Sequence, residues 1–240
     1  MIGLEFNRPY VNMEPYIDIE KFLSLTEEIC MGIAKSELHY PNPGNRAIPD
    51  ARYPDMLLPY ESEIKWADKL KNLSTSEKRR FLKWYKKVYY SSSGVFIKQH
   101  NGYLNKHLDE YSEWTENAKH FPNFIKFIEE DLPFDQTGRI FIFCQDNFAH
   151  LTEHRDSMND EYNNELTDFL WLTVDNNAMR FYIRDNNNEK IYIESNCAWF
   201  NENDRHGSDG VPDPTFCIRI DGVFTPEFRE TVIRDITEQK

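Results

Sequence analysis

The chain has 240 residues, of which 40% are hydrophobic and 15% aromatic, enough to pack the core of one domain and to exclude wholesale disorder. A net charge of −13 opposes nonspecific binding to a phosphate backbone, and Cys30, Cys144, Cys197 and Cys217 form no CxxC pair, which argues against a zinc module and a disulfide framework. No stretch reaches the roughly 20 apolar residues of a membrane span, and residues 1–6 show no basic segment leading into an apolar one, so the expected setting is cytoplasmic, with no membrane partner.

In chain order, the first half reads as helical. Ile19, Phe22, Leu23, Ile29, Cys30 and Ile33 follow a helical period behind Asp18, a suitable N-cap. Pro41, Pro43, Gly44, Pro49 and Pro54 then break the chain into a loop over residues 36–59. Two helices are expected over 61–72 and 76–90, the second with a capping-box-like start at Ser74 and Glu77. The basic residues Lys78, Arg79, Arg80, Lys83, Lys86 and Lys87 on that second helix fit a solvated face better than a nucleic-acid groove. A short helix around Phe124, Ile125, Phe127 and Ile128 precedes Pro133.

The pattern changes near Gly138. Runs at 139–144, 169–174, 179–183, 190–193, 198–200 and 215–220 are short, apolar and rich in β-branched and aromatic residues. Turns rich in Asn and Asp, at 175–177 and 185–188, separate them. Successive short strands point to a sandwich or barrel. Thr225 and Pro226 open a closing helix, as N-cap and first helical residue. The expected organisation is one domain: a mainly helical support over 1–135, a β core over 136–224 and a helix over 225–240.

Within the β core lies His154-Arg155-Asp156. On an extended backbone, residues two apart project to one side, so His154 and Asp156 can share a metal. A second His-x-Asp, His107-Leu108-Asp109, falls in a stretch (103–114) that reads as helical, where residues two apart do not face each other. Taken alone, the first pair reads more readily as two polar residues flanking a turn. His206 follows the strand ending at Phe200, and Arg219 lies inside the strand 215–220, on the face opposite Phe216, Ile218 and Ile220. An arginine in mid-strand is costly to bury without an anionic partner, which one of the many acidic side chains could supply as well as a ligand could.

His154-x-Asp156, then His206, then Arg219 resembles, in order and spacing, the pattern of the Fe(II)/2-oxoglutarate-dependent oxygenases. The resemblance covers about residues 138–224, with some similarity to the aspartyl/asparaginyl hydroxylase-like group. It implies a double-stranded β-helix (jelly-roll, cupin-like) core in an α+β fold with packed N-terminal helices. It also implies Fe(II) held by His154, Asp156 and His206, which are then both metal ligands and catalytic residues. 2-Oxoglutarate would be the cosubstrate, its far carboxylate paired with Arg219 and its decarboxylation to succinate coupled to hydroxylation of a substrate. Two imidazoles and one carboxylate on one face of Fe(II) leave positions for cosubstrate and oxygen. Two readings compete: a non-enzymatic cupin-like binding protein, and a metal-dependent isomerase or hydrolase on the same barrel, which would not need Arg219.

Other residues carry weaker expectations. His150 and His154 with Glu153 do not make the His-Glu-x-x-His order of a zinc protease, so His150 is a core or pocket histidine. The polar stretch 157–167 is a lid or a solvated connection, and Tyr182 and Thr173, on expected strands, have hydroxyls within reach of a cosubstrate or simply belong to the core. The substrate, a small molecule or a protein side chain, is not specified by the sequence; the acidic charge favours a neutral or basic one.

Overall fold

A computed structural model describes residues 2–36, 74, 93–99, 112–145, 151, 153–155, 167–174, 180–209 and 215–238. The expected helices over 61–72 and 76–90, the basic run on the second, and the His107/Asp109 pair lie outside these residues, as do His150, Asp156 and 157–166.

Asp18 caps the first helix as expected, accepting the Lys21 N–H at 2.9 Å. The helical stretch is two helices, α1 (Ile19–Ser24) and α2 (Thr26–Lys35), broken at Leu25. Phe22 and Ile29 are buried, but Cys30 is exposed and does not belong to the apolar face. Helix α3 (Pro122–Glu130) buries Phe124, Phe127 and Ile128, and α4 (Pro226–Glu238) closes the chain.

The region expected to be mainly helical also contributes strands. These are β1 (Tyr10–Asn12), β2 (Ser93–Gln99) and β3 (Glu113–Trp114), the last falling at the end of a stretch expected to be helical. They extend a sheet whose other strands are β4 (Phe134–Gln145), β5 (Asp168–Leu172), β8 (Cys197–Phe200) and β10 (Thr215–Phe224). Among the described residues its order is β1-β8-β5-β10-β4-β2-β3, and every pairing is antiparallel. A smaller antiparallel sheet has the order β7-β6-β9, from β6 (Phe181–Arg184), β7 (Lys190–Tyr192) and β9 (His206–Ser208).

Register decides which side chains face the small sheet, because residues directly opposite each other in an antiparallel pair share a face. Arg219 sits opposite both Phe141 and Trp171, and Trp171 opposite Ala198. From this row Trp171 reaches Phe181 of the small sheet, ring centroids 5.3 Å apart, and Phe200 reaches His206 at 5.4 Å. Arg219 therefore points into the space between the sheets. The opposite face carries Ile140, Ile142, Leu170, Leu172, Ile218 and Ile220, which form one core with Phe22, Ile29, Phe124, Phe127, Val232 and Ile236 of the helices. The strand β2 lies close on β4: a methyl on Gly94 would stand 2.3 Å from the Ile142 carbonyl oxygen. No helix among the described residues is long and apolar enough to cross a membrane.

Candidate metal centre

His206 opens β9, a three-residue strand that pairs with β6, Ile183 lying opposite His206. On its other side His206 forms an isolated antiparallel bridge with His154. The two imidazoles thus lie on one face, their ring centroids 4.6 Å apart. His206 is 3% exposed, walled by Phe181 and Phe200, while His154 is half-buried. Two of the three residues expected to hold a metal are brought together in this way. Asp156, two positions beyond His154, lies outside the described residues, and no group of three or more His, Cys, Asp or Glu set to hold a metal occurs among those described.

The tautomer of His206 follows from its surroundings. Its Nδ1 lies 2.8 Å from the Asp204 carbonyl oxygen, which can only accept, so Nδ1 carries the proton and the lone pair is on Nε2. A ring nitrogen bonded to a backbone carbonyl in this way is how metal-ligating histidines are oriented. The turn that supplies the carbonyl is itself held. The Asp204 carboxylate accepts the Leu4 N–H at 2.9 Å, across nearly the whole sequence. Burial pushes the Asp204 carboxyl above its usual range, eased by that N–H and by the charge of Arg155.

The space between the sheets is largely apolar but holds two guanidiniums. Arg219, 5% exposed, donates from Nη2 to Glu202 at 2.5 Å and from Nε to Asp221 at 2.6 Å, and its guanidinium lies 4.0 Å from the centre of the Phe169 ring. Arg139 donates from Nε to the other Asp221 oxygen at 2.8 Å. The anionic partner that a mid-strand arginine requires is thus met by this chain's own carboxylates. Sequence reasoning singled out neither Glu202, which arrives on the turn after β8, nor Arg139.

Gln145 ties the sheets together, its Nε2 donating to the Ser208 hydroxyl at 2.5 Å, and Ser208 also accepts the Leu151 N–H at 2.8 Å. Among the described residues the Gln145 Oε1 has no hydrogen-bond partner, although the residue is 1% exposed. Among the described residues the Trp171 Nε1 meets only the Cys217 thiol, a weak acceptor. Polar atoms buried between the sheets without a proper partner are those a polar ligand would use. The paired imidazoles, with the His206 tautomer fixed, and these buried polar atoms suit a metal ion and a polar ligand beside it. Of the two hydroxyls considered, Tyr182 bonds Glu153 at 3.3 Å on the outer side of the small sheet, and Thr173 bonds the Phe216 carbonyl at 3.3 Å.

No family profile and no curated protein matches the sequence. Among solved structures the chain is similar to an oxidoreductase of the 2OG-Fe(II) oxygenase family from Burkholderia pseudomallei, at 8% identity over 56% of this chain and 71% of that one, TM-score 0.39. It is also similar to the viral collagen prolyl hydroxylase of Paramecium Bursaria Chlorella virus-1 in its 2OG complex, at 9% identity over 64% and 92%, TM-score 0.31. A prolyl-4-hydroxylase from Pseudomonas putida aligns at 7% identity over 56% and 73%, TM-score 0.33.

Proposed function

We propose that the chain is an Fe(II)- and 2-oxoglutarate-dependent dioxygenase on a double-stranded β-helix. The observation that carries the reading is the His154–His206 bridge, with both rings on one face and the His206 tautomer set by the Asp204 carbonyl. Strand order supports the fold assignment: after β4 the chain passes to the small sheet at His154, back at β5, across at β6 and β7, back at β8, across at β9 and back at β10.

His154, Asp156 and His206 would hold the iron, which when bound supplies oxygen activation coupled to decarboxylation of 2-oxoglutarate. The residues of the chain position and exclude. His206 presents Nε2 because Nδ1 is bonded. Phe181, Phe200 and Trp171 keep water from the inner side of the pair. Arg219 offers the far carboxylate of the cosubstrate a two-pronged partner, for which that carboxylate competes with Glu202. Trp171 Nε1 and Gln145 Oε1 offer a donor and an acceptor between the sheets.

The ion pairs of Arg219 favour a second reading, a metal-dependent isomerase or hydrolase on the same barrel in which Arg219 is purely structural. One assay separates the two: succinate formed from 2-oxoglutarate by the Fe(II)-loaded protein under air. Turnover that disappears in His206→Ala supports the oxygenase; metal binding without any succinate supports the isomerase or hydrolase.

A further inference from the structure

On the outer side of the small sheet, directly behind the histidine pair, an open cleft of about 350 Å³ is lined by Arg155, Arg184, Asp185, Asn186, Asn188 and Arg205. Three guanidiniums around one cleft stand out in a chain of net charge −13. Their places follow from the metal centre. Arg155 is the next residue after His154, Arg205 the one before His206, and the Arg184 N–H donates to the Arg205 carbonyl at 2.7 Å.

The three arginines are not equivalent. Arg184 forms the floor: it pairs with Glu153, its Nη1 holds the Asn188 carbonyl at 2.8 Å, and its side chain is 18% exposed. Arg205 is 56% exposed, with a looser approach to Glu153 at 3.6 Å, and Arg155 is exposed. Asp185 turns its carboxylate onto its own turn, accepting the N–H groups of Asn187 and Glu189 at 2.9 and 2.7 Å. Glu153 thus serves two of the arginines and the half-buried Asp204 carboxylate feels the charge of Arg155, while among the described residues Arg155 and Arg205 present exposed guanidiniums at the rim. Forked guanidiniums beside amide side chains recognise oxyanions such as phosphate and carboxylate. The volume is that of a small-molecule site rather than a protein footprint.

We propose that this cleft binds the phosphate or carboxylate group of a small anion, held on the outer face of the small sheet and apart from the inner face that carries the imidazoles. Anion binding by the arginines does not rest on the oxygenase reading. The net charge of −13 does not oppose this, because a local cluster of arginines outweighs the distant field once screened.

The test is a calorimetric titration of the full, metal-free chain with pyrophosphate, and separately with malonate, against sodium chloride at equal ionic strength. Saturable binding of either is expected, the tighter of the two naming the group, weakened at least tenfold in Arg155→Ser and in Arg205→Ser and unchanged in Arg234→Ser on α4. Following the arginine Nε–H resonances of the unaltered chain during the same titration locates the site without any substitution. Binding no stronger than chloride, or equal in all variants, overturns the proposal. Displacement of the anion by stoichiometric 2-oxoglutarate also overturns it, since the cleft would then be a cosubstrate site. Anion binding that obeys the expected pattern in a chain that makes no succinate sinks the oxygenase reading and leaves the anion site standing.

Discussion

His154 and His206 exchange both backbone hydrogen bonds, N–H to carbonyl at 2.9 Å in each direction, which fixes their side chains on one face. The spacing of the imidazoles is therefore a property of the backbone, not of rotamer choice alone. If the pair holds a metal, His154→Ala and His206→Ala each lose Fe(II) affinity by on the order of a hundredfold or more while the fold survives, and His107→Ala changes nothing. Isothermal titration with Fe(II) or Mn(II) under anaerobic conditions measures this, and wild-type affinity in His206→Ala refutes the ligand assignment.

Gly207 makes that bridge possible. A methyl there would lie 2.9 Å from the Leu151 carbonyl oxygen and 3.1 Å from the Glu153 Cα, both backbone atoms. Gly207→Ala should push residues 151–154 away from β9 and weaken metal binding at least tenfold, with a loss of stability of about 1–3 kcal/mol. Metal titration and urea unfolding of the same preparation give the two numbers. An alanine variant that binds metal like the wild type would mean the bridge is not what sets the imidazole spacing.

Arg219 and Glu202 yield an opposed pair of expectations. Arg219→Ala leaves Glu202 and Asp221 buried without their partner and should cost about 3–5 kcal/mol of stability. It should also weaken 2-oxoglutarate binding more than tenfold, whereas Glu202→Gln, which removes the competing charge, should tighten it. Arg180→Ala, just before β6 and against the Tyr192 ring, serves as control. Anaerobic titration of the Fe(II)-loaded variants, read by the charge-transfer band, reports the binding. Wild-type affinity in a folded Arg219→Ala would make Arg219 structural.

Asp168 gives a pH dependence. Burial raises its carboxyl above 3.8, only partly offset by the Phe224 N–H and by Arg229. The folded state thus holds this proton more tightly than the unfolded chain, so its contribution is full below 3.8 and is lost as pH rises through the folded value. Asp168→Asn lacks that loss and should gain stability relative to wild type between acid and neutral pH. Urea midpoints at the two extremes decide it; a difference that shrinks toward neutrality would show that the Arg229 pair dominates burial.

Much of the core was legible in the sequence because apolar β-branched and aromatic runs mark β4, β5, β6, β8 and β10, and because Asp18 and Thr225 sit where caps belong. The Thr225 hydroxyl accepts the Phe228 N–H at 3.4 Å. β9 was not legible: His-Gly-Ser has no strand propensity and is extended only because β6 and His154 pair with it on either side. β1 is a three-residue edge, and β2 carries a glycine whose value is closeness to Phe141 and Ile142, which no local pattern announces. The alternation that turned Arg219 away from Ile218 and Ile220 was readable, but its partner Glu202 comes from a neighbouring turn, and such non-local pairing leaves no trace in spacing.

The strand nearest the carboxy terminus is also a central one: β10 pairs with β4 on one side and β5 on the other. Until residues 215–224 leave the ribosome, both of those strands have a bare edge and Arg139 lacks its partner Asp221. The bond from Leu4 to Asp204 joins positions 200 apart, so the turn behind His206 is likewise settled only when these distant segments meet. A topology so dominated by distant contacts folds slowly and as a whole. Synthesis therefore passes through a stage in which both histidines exist but the sheet behind them is incomplete.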